Sequence, residues 1–263
     1  VNNILEMNSG NISTGASTLI HASGTSSDLV YNSGTIIGNY RRDIATPTGT
    51  EYLFPLGTAS SYNPLKITFN NLTAGELSVT FLSSDIGTSG LPLTDGLILI
   101  TDRHSTGYWQ LSASGGLAST DYDVNLNYTG FTGVSEGSRI IKRTDGGSLF
   151  IDGTHGSVSD PEISKTGLNG ISIVTTDLAI GRPGLKKLTQ PADYSGCAPE
   201  FTITAVGPAP LSYQWQEDSG SGFADISDDG MYSGSTTNTL TITGATAAMT
   251  DYQDRCVVTD GNS

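Results

Sequence analysis

Apolar and polar residues alternate along the middle of the chain. Every second position is apolar in LKITFN, ELSVTF and DYDVNLNY, which occupy residues 65–70, 76–81 and 121–128. A period of two predicts β-strands, and the polar face of the third stretch is typical of an antiparallel sheet with one side in water. Further strands are predicted in the stretches GLILI, GYWQLSA, SRIIKRT, SLFIDG and ISIVTTDLAIG.

Turn signals separate these predicted strands. TSGLPLTDG, TDGG and DGTHG place Gly, Asp and Pro between apolar runs, with the spacing of a β-sandwich. No long window of helical periodicity interrupts them. The sequence therefore predicts an all-β chain, with an antiparallel β-sandwich domain over residues 46–182.

Residues 1–45 carry shorter apolar runs that are cut by Gly turns. The triplet NSG occurs at 8–10 and again at 32–34. Short strands broken at near-regular intervals are typical of stacked rungs or of a small meander, because Gly supplies the positive φ that tight corners need. Both arrangements remain open for this segment.

A linker precedes the last part of the chain. The stretch RPGLKKLTQPADYSG, residues 182–196, concentrates Pro, Gly and adjacent Lys residues between strand-rich regions. This composition predicts a domain boundary near Arg182. The second domain then spans residues 183–263.

The second domain shows the order Cys197, Trp215, Cys256. The same order occurs in immunoglobulin-like sandwiches, where a Trp on strand C packs against a disulfide between strands B and F. We therefore expect a Cys197–Cys256 disulfide, Trp215 in the core, and an oxidising, extracellular setting. One position departs from the pattern: Asp254 stands two residues before the second Cys, where a Tyr forms the tyrosine corner.

Composition and charge narrow the function classes. The chain has 12 Lys plus Arg against 26 Asp plus Glu, a formal net charge of −14. Such a surface repels phosphate backbones and anionic membranes, so nucleic acid is not an expected partner. No run approaches the ~20 apolar residues of a membrane-spanning helix.

Candidate catalytic residues are few. TDRHSTG brings Asp102, His104 and Ser105 together in sequence, but neighbours on a strand or turn point to different faces. Of the many acids, none can be selected as a pair for glycosidic cleavage. The sequence therefore predicts a chain that is not an enzyme.

Metal ligands are equally sparse. His21, His104 and His155 lie far apart and lack zinc-site spacing, so no zinc and no other cofactor is expected. Calcium has two candidate sites, Asp228-Asp229-Gly230 and the pair Asp121 and Asp123, although these aspartates also suit solvated hairpin turns.

Aromatic residues raise a second function class. Tyr108, Trp109, Tyr122 and Tyr128 could stack on sugar rings, although their period-two placement favours a core. The alternative function is thus a glycan-binding accessory module of a secreted polysaccharide-degrading enzyme.

Longer stretches resemble a known group of proteins. YLFPLGTASSYNPLKITF, GYWQLSA, IIKRTDGGSLFIDGTH, ADISDDGMYSGSTTNTLTITGATAAM and RCVVT are similar to modules of the large secreted surface proteins of gliding bacteria and their relatives, the cargo of type IX secretion. The resemblance implies a modular, non-catalytic protein at the bacterial cell surface, with adhesive or structural work. It implies no catalytic residues.

The stretch RCVVTDGNS suggests how such a module could assemble. Cys256, Val257 and Val258 lie on the predicted strand F, and the turn TDGNS follows without a further strand. We expect either continuation of the chain into neighbouring modules or a strand donated by another chain, which would make a fibre. The candidate donor is VNNILEM, in which the apolar residues are Val1, Ile4, Leu5 and Met7.

Overall fold

The fold is all-β. The computed structural model describes residues 4–45, 47–194, 196 and 198–260. Strands make up 52% of it and helix 2%, which confirms the predicted fold class. The helical residues form two short 3-10 turns, Ser26–Asp28 and Ala247–Met249. No helix among the described residues is long and apolar enough to cross a membrane.

The chain divides into two compact units. The first comprises Val1–Asp95 and Ile100–Arg182, and the second comprises Pro183–Ser263 with Gly96–Leu99. The division near Arg182 lies at the Pro- and Gly-rich linker. Residues of the N-terminal segment share the core of the first unit, where Met7, Ile36 and Tyr40 are buried beside the sandwich residues.

The first unit combines a two-sheet sandwich with a small third sheet of two parallel strands. Its strands are β1 (Leu5–Met7), β2 (Ile12–His21), β3 (Leu29–Tyr31), β4 (Ile36–Ile44), β5 (Glu51–Phe54), β6 (Leu65–Phe69), β7 (Gly75–Leu82), β8 (Leu93–Asp95), β9 (Ile98–Arg103), β10 (Tyr108–Ser114), β11 (Tyr122–Asn127), β12 (Arg139–Thr144), β13 (Thr154–Ser159), β14 (Glu162–Leu168) and β15 (Thr176–Gly184). One sheet has the order β2-β4-β7-β10-β15-β9-β8 with β12 also on β15, and the other has the order β13-β14-β11-β6-β5.

Alternating side chains of both sheets form one core. The apolar faces of β6, β7 and β11 are buried, as their period of two predicts. Trp109 is fully buried, stacks on Phe131 with ring centroids 5.9 Å apart, and donates its indole N–H to the Asn63 carbonyl at 2.8 Å. The paired indole N–H is what allows this large ring to lie in the core.

The two NSG triplets stack as rungs. Strand β1 pairs in parallel with β3, and β2 pairs in parallel with β4. Asn32 donates to the Asn8 side chain at 2.6 Å and Ser33 to the Asn8 carbonyl at 2.7 Å, while a Cβ at Gly34 would overlap the Gly10 carbonyl. Parallel stacking of equivalent triplets identifies rungs rather than a meander.

One predicted strand is wrong. SLFIDG forms only an isolated bridge between Phe150 and Lys142, not a strand. The segment instead forms a loop that places Asp152 beside Lys142. The Lys142 Nζ lies 2.7 Å from the Asp152 carboxylate in a buried ion pair. The Leu149 side chain is buried, so the apolar residues of this stretch reflect a buried loop.

The second unit has the strand arrangement of an immunoglobulin-like sandwich. Its strands are β16 (Lys186–Thr189), β17 (Glu200–Thr202), β18 (Thr204–Val206), β19 (Ser212–Asp218), β20 (Ala224–Asp225), β21 (Tyr232–Ser233), β22 (Thr239–Ile242) and β23 (Gln253–Thr259). Two sheets of order β17-β22-β21 and β20-β19-β23 correspond to strands B-E-D and C′-C-F, and β16 pairs with β18.

A buried arginine joins strands of the first unit. Arg42 on β4 is fully buried and donates to three backbone carbonyls, those of Leu53 at 3.0 Å, Ser26 at 3.0 Å and Thr25 at 3.3 Å. Its guanidinium also lies 5.3 Å from the Tyr52 ring centroid. Because carbonyls rather than a carboxylate satisfy this charge, its removal leaves several buried acceptors unpaired.

Replacement of Arg42 should therefore destabilise the first unit. We expect Arg42→Ala to lower its free energy of unfolding by about 3 kcal/mol. The neighbouring Arg41 is a matched control, because it is partly exposed and forms a 3.3 Å ion pair with Glu76, which is expected to contribute less than about 1 kcal/mol. Hydrogen-exchange mass spectrometry in urea, read on peptides of the first unit, measures both, and equal losses would contradict the assignment.

Candidate functional site at the edge of strand β23

A groove of about 810 Å³ opens beside strand β23 in the second unit. Its walls come from the linker, from strand β17 and its neighbour Ile203, and from the edge of β23. The lining residues are Lys187, Gln190, Pro191, Ala192, Asp193, Tyr194, Phe201, Ile203, Trp215, Asp251, Tyr252, Gln253, Asp254, Arg255 and Cys256.

Strand β23 is the edge of its sheet. It pairs with β19 on one side, and the sheet order β20-β19-β23 places no described strand on the other. Such an edge presents backbone N–H and C=O groups that can pair with another extended segment. The predicted acceptor residues Cys256, Val257 and Val258 all lie on this strand.

Cross-strand pairs order the inner face of β23. Tyr213 is opposite Val258, Trp215 opposite Cys256, and Glu217 opposite Asp254. The burial pattern of β23 alternates, with Asp254, Cys256 and Val258 half-buried between exposed neighbours. The inner face thus runs from apolar to acidic along the strand.

The apolar part of the groove is the core of the unit. Trp215 is fully buried and donates its indole N–H to the Thr237 carbonyl at 2.9 Å. The ring of Phe201 lies 6.3 Å from it, between centroids, and Phe201 is only partly buried. Trp215 lies opposite Cys256 on the neighbouring strand.

The acidic end of the groove contains two carboxylates. Burial, and secondarily the neighbouring Glu217, raise the pKa of Asp254 to about 6. The Asp254 Oδ1 atom is buried and has no hydrogen-bond partner among the described residues. Glu217 in contrast accepts a hydrogen bond from the Tyr232 hydroxyl. Asp254 therefore holds an acceptor that the unit itself leaves unmatched.

The cations of the groove are engaged elsewhere. Lys187 donates to the Gln190 side chain. Arg255 points to the outer face, donates to Gln216 at 2.7 Å and lies 3.9 Å from the Phe223 ring centroid. Neither makes an ion pair with Asp254.

Comparison with known proteins adds no relative. No family model, curated protein or solved structure matches this chain. The assignment of function therefore depends on the geometry of the chain's own residues.

The predicted disulfide stays a prediction. Cys256 is half-buried and forms no disulfide among the described residues, and burial raises the pKa of its thiol. Cys197 lies outside the described residues.

The predicted donor segment is engaged within its own unit. Leu5 and Met7 belong to β1, which pairs with β3, and Met7 is buried in the core of the first unit. Ile4 is exposed, and Val1 lies outside the described residues. Donation of this segment would require β1 to leave β3 and uncover Met7.

The residues Asp102, His104 and Ser105 do not form a triad. His104 is buried, and burial, followed by the nearby Arg182 charge, lowers its pKa to about 4. Its ring lies 5.9 Å from that of Phe131, between centroids, while the Asp102 carboxylate accepts from Arg103 at 2.8 Å. Burial and aromatic contact explain His104 as a core residue.

A motif missed in the sequence has the spacing of a nucleophile elbow. GVSEG at residues 133–137 matches G-x-S-x-G. Ser135 lies outside the regular strands, in a turn that Ser138 closes by donating its N–H to the Ser135 carbonyl at 2.8 Å. The elbow requires a strand before the serine and a helix after it, and neither flanks Ser135.

The candidate metal ligands are engaged in protein hydrogen bonds. The Asp228 carboxylate accepts from the Ser235 N–H, and Asp229 accepts from Met231 and Tyr232 N–H groups. Asn70 donates to both Asp121 and Asp123. No group of three or more metal-ligating side chains occurs among the described residues.

The remaining histidines lie apart. His21 is within 3.1 Å of the Tyr40 hydroxyl, and burial lowers the pKa of His155 on β13.

Most of the aromatic residues proposed for sugar binding are in the core. Trp109, Tyr122 and Tyr128 are buried. Tyr108 is half-buried, and Arg143 lies 5.7 Å from its ring centroid. These residues offer no open platform for a sugar ring.

Sequence reasoning missed the carboxylate pair of the groove. Asp254 stood out only as a departure from the tyrosine corner, and Glu217 carried no signal. Alternation in QDRCVVT was the available clue, because it places Asp254 on the same face as Cys256 and Val258.

The stability of the second unit should depend on the ionisation of Asp254. Because its folded pKa of about 6 exceeds the usual 3.8, the folded unit retains a proton that the unfolded chain releases. Stability is therefore expected to fall as pH rises from about 4 to about 6. Asp254→Asn should remove this fall and stabilise the unit at pH 7 by about 1 kcal/mol, since solvent screens a half-exposed carboxyl.

Asp218→Asn is the matched control in the same unit. The N–H groups of Gly220 and Gly222 lower the pKa of Asp218, so its contribution is present at neutral pH and is lost in acid. The Asn variant should be less stable than the parent at pH 7. Hydrogen exchange in urea at several pH values measures both, and a parallel response of the two variants would contradict the placement of Asp254.

Proposed function

We propose that the chain is a non-catalytic structural or adhesive module of a protein displayed on a bacterial cell surface. Its second unit takes up an extended strand from a neighbouring chain, which links modules into a polymer. The observation that carries the proposal is the edge of β23 beside the groove, where no described strand pairs with β23 and the core residue Trp215 lines the groove.

The groove provides what strand addition requires. Main-chain hydrogen bonds to the β23 edge supply affinity, and alternate side chains of the added strand enter the groove beside Asp254 and Cys256. The added strand would also cover Phe201, which the unit leaves partly exposed. The gain is apolar area removed from water, at about 25 cal/mol per Å².

Modular architecture and charge agree with an extracellular structural role. The chain consists of two β-rich units, and its net charge of −14 keeps such a surface solvated. The resemblance of its sequence to type IX secretion cargo of gliding bacteria supports the cell-surface location. Such a module would associate either with neighbouring modules of the same long chain or with strands of separate chains.

The donor is a strand with alternating apolar residues. VNNILEM remains the candidate from the sequence, at the cost of separating β1 from β3. A glycan partner is less well supported, because the aromatic residues proposed for it are mostly buried.

Self-association tests the proposal directly. Sedimentation velocity over a wide concentration range should show assembly, and hydrogen exchange should show β23 amides becoming protected as it proceeds. Val257→Glu adds a charge to this edge and should reduce assembly, because charged side chains oppose strand pairing.

Ile20→Glu is the control for this experiment. Ile20 is an exposed apolar residue on the edge strand β2 of the first unit, and its substitution should leave assembly unchanged. A chain that stays monomeric with every β23 amide protected would overturn strand donation between molecules. Antibody labelling of intact producing cells tests the surface location.

A further inference from the structure

We propose that the groove selects a donated strand of the form Lys/Arg-x-apolar-x-apolar, running parallel to β23, with its cation beside Asp254. The inference rests on the proposed function and specifies its partner. The occupant is a strand of this chemistry, supplied from outside the described residues.

The register of the inner face sets the order of the required side chains. Asp254, Cys256 and Val258 follow one another at intervals of two along β23, on the half-buried face. Residues directly opposite on an adjacent strand have Cβ atoms about 5 Å apart. A strand parallel to β23 therefore places its first inner residue beside Asp254 and the next two beside Cys256 and Val258.

Charge complementarity decides the first of these positions. Asp254 and Glu217 form an acidic pair across β23 and β19, and the Asp254 Oδ1 atom is buried without a hydrogen-bond partner. Tyr232 satisfies Glu217, whereas Lys187 and Arg255 bond to glutamines. A donated Lys or Arg supplies the charge-assisted hydrogen bond that Asp254 lacks.

The other two positions meet the core. Cys256 is opposite Trp215, and Val258 is opposite Tyr213. Partly buried apolar side chains of the unit, including Phe201 and Val258, border the same core. Apolar side chains at these positions extend it, whereas polar ones would bury unpaired groups.

The candidate donor VNNILEM fits this form only in part. Aligned in the same direction, its sequence puts Leu5 and Met7 at the two apolar positions and Asn3 at the cation position. An amide can donate one hydrogen bond to Asp254 but carries no charge. We therefore expect this segment to bind more weakly than a strand with Lys.

Synthetic peptides test the inference. Fluorescently labelled STKTVTVTS carries the proposed form, and STETVTVTS differs only at the cation position. Anisotropy titration of the full chain at pH 7 should give about tenfold tighter binding of the Lys peptide, because opposite charges across strands attract and like charges repel. Hydrogen exchange of Gln253–Thr259 should slow when the Lys peptide binds.

Two substitutions test whether the preference for the Lys peptide arises at the groove or at another sheet edge. Asp254→Asn should reduce the preference for the Lys peptide to about twofold or less. Asp225→Asn is the control, because Asp225 lies on β20 at the opposite edge of the same sheet, where Gln216 donates to it. This variant should keep the full preference.

Three results would overturn the inference. They are equal binding of both peptides, a preference that survives Asp254→Asn, and no peptide binding while the β23 amides exchange freely. Titration at a concentration where the chain is monomeric keeps this test apart from the proposed polymer. Failure to self-associate would refute the polymer alone, and loss of the Lys preference would refute only the selectivity.

Discussion

The pairing of backbone groups along strand edges is the constraint on which the rest of this structure depends. An all-β chain has few ways to satisfy its N–H and C=O groups, and each strand needs a neighbour on both sides to do so completely. Strand β7 meets this requirement, since it lies between β4 and β10. Among the described residues, strand β23 pairs with β19 alone, although its inner face borders the core of the second unit.

The position of β23 makes its edge different from an edge in solvent. Edge strands commonly end over polar surface, where water satisfies the backbone. Here the groove beside β23 is bordered by Trp215, whose burial is complete, and by Phe201, whose burial is partial. A segment that pairs with β23 would therefore satisfy the backbone and complete the apolar contacts in one step. The coupling of these two gains is why strand addition fits this groove better than a small ligand does.

The sequence predicted elements that depend on local pattern. Period two located β6, β7 and β11, and the Cys and Trp order placed Trp215 on a central strand beside Cys256. The repeated NSG triplets predicted short strands but left stacked rungs and a meander both open, because both arrangements use the same Gly turns. Parallel pairing of β1 with β3 became visible only in three dimensions.

Contacts between distant segments escaped prediction. Arg42 is bonded to carbonyls that lie 11 to 17 residues away, and no local pattern marks it as buried. SLFIDG is apolar enough for a strand, yet it forms a loop in which Asp152 makes an ion pair with Lys142. Asp254 is a further example, since its raised pKa depends in part on Glu217, which lies opposite it on β19.

The carboxylate at Asp254 links stability to recognition. A half-buried acid with a raised pKa destabilises the unit at neutral pH, because burial and the neighbouring Glu217 disfavour its charged form. An apolar residue there would have stabilised the same strand and left the groove open to any hydrophobic segment. The acid instead penalises occupants without a cation, which is specificity obtained through an unfavourable interaction in the wrong complex. Under the proposed strand donation, such a penalty would oppose pairing of β23 with unmatched strands, including strands of other copies of this chain.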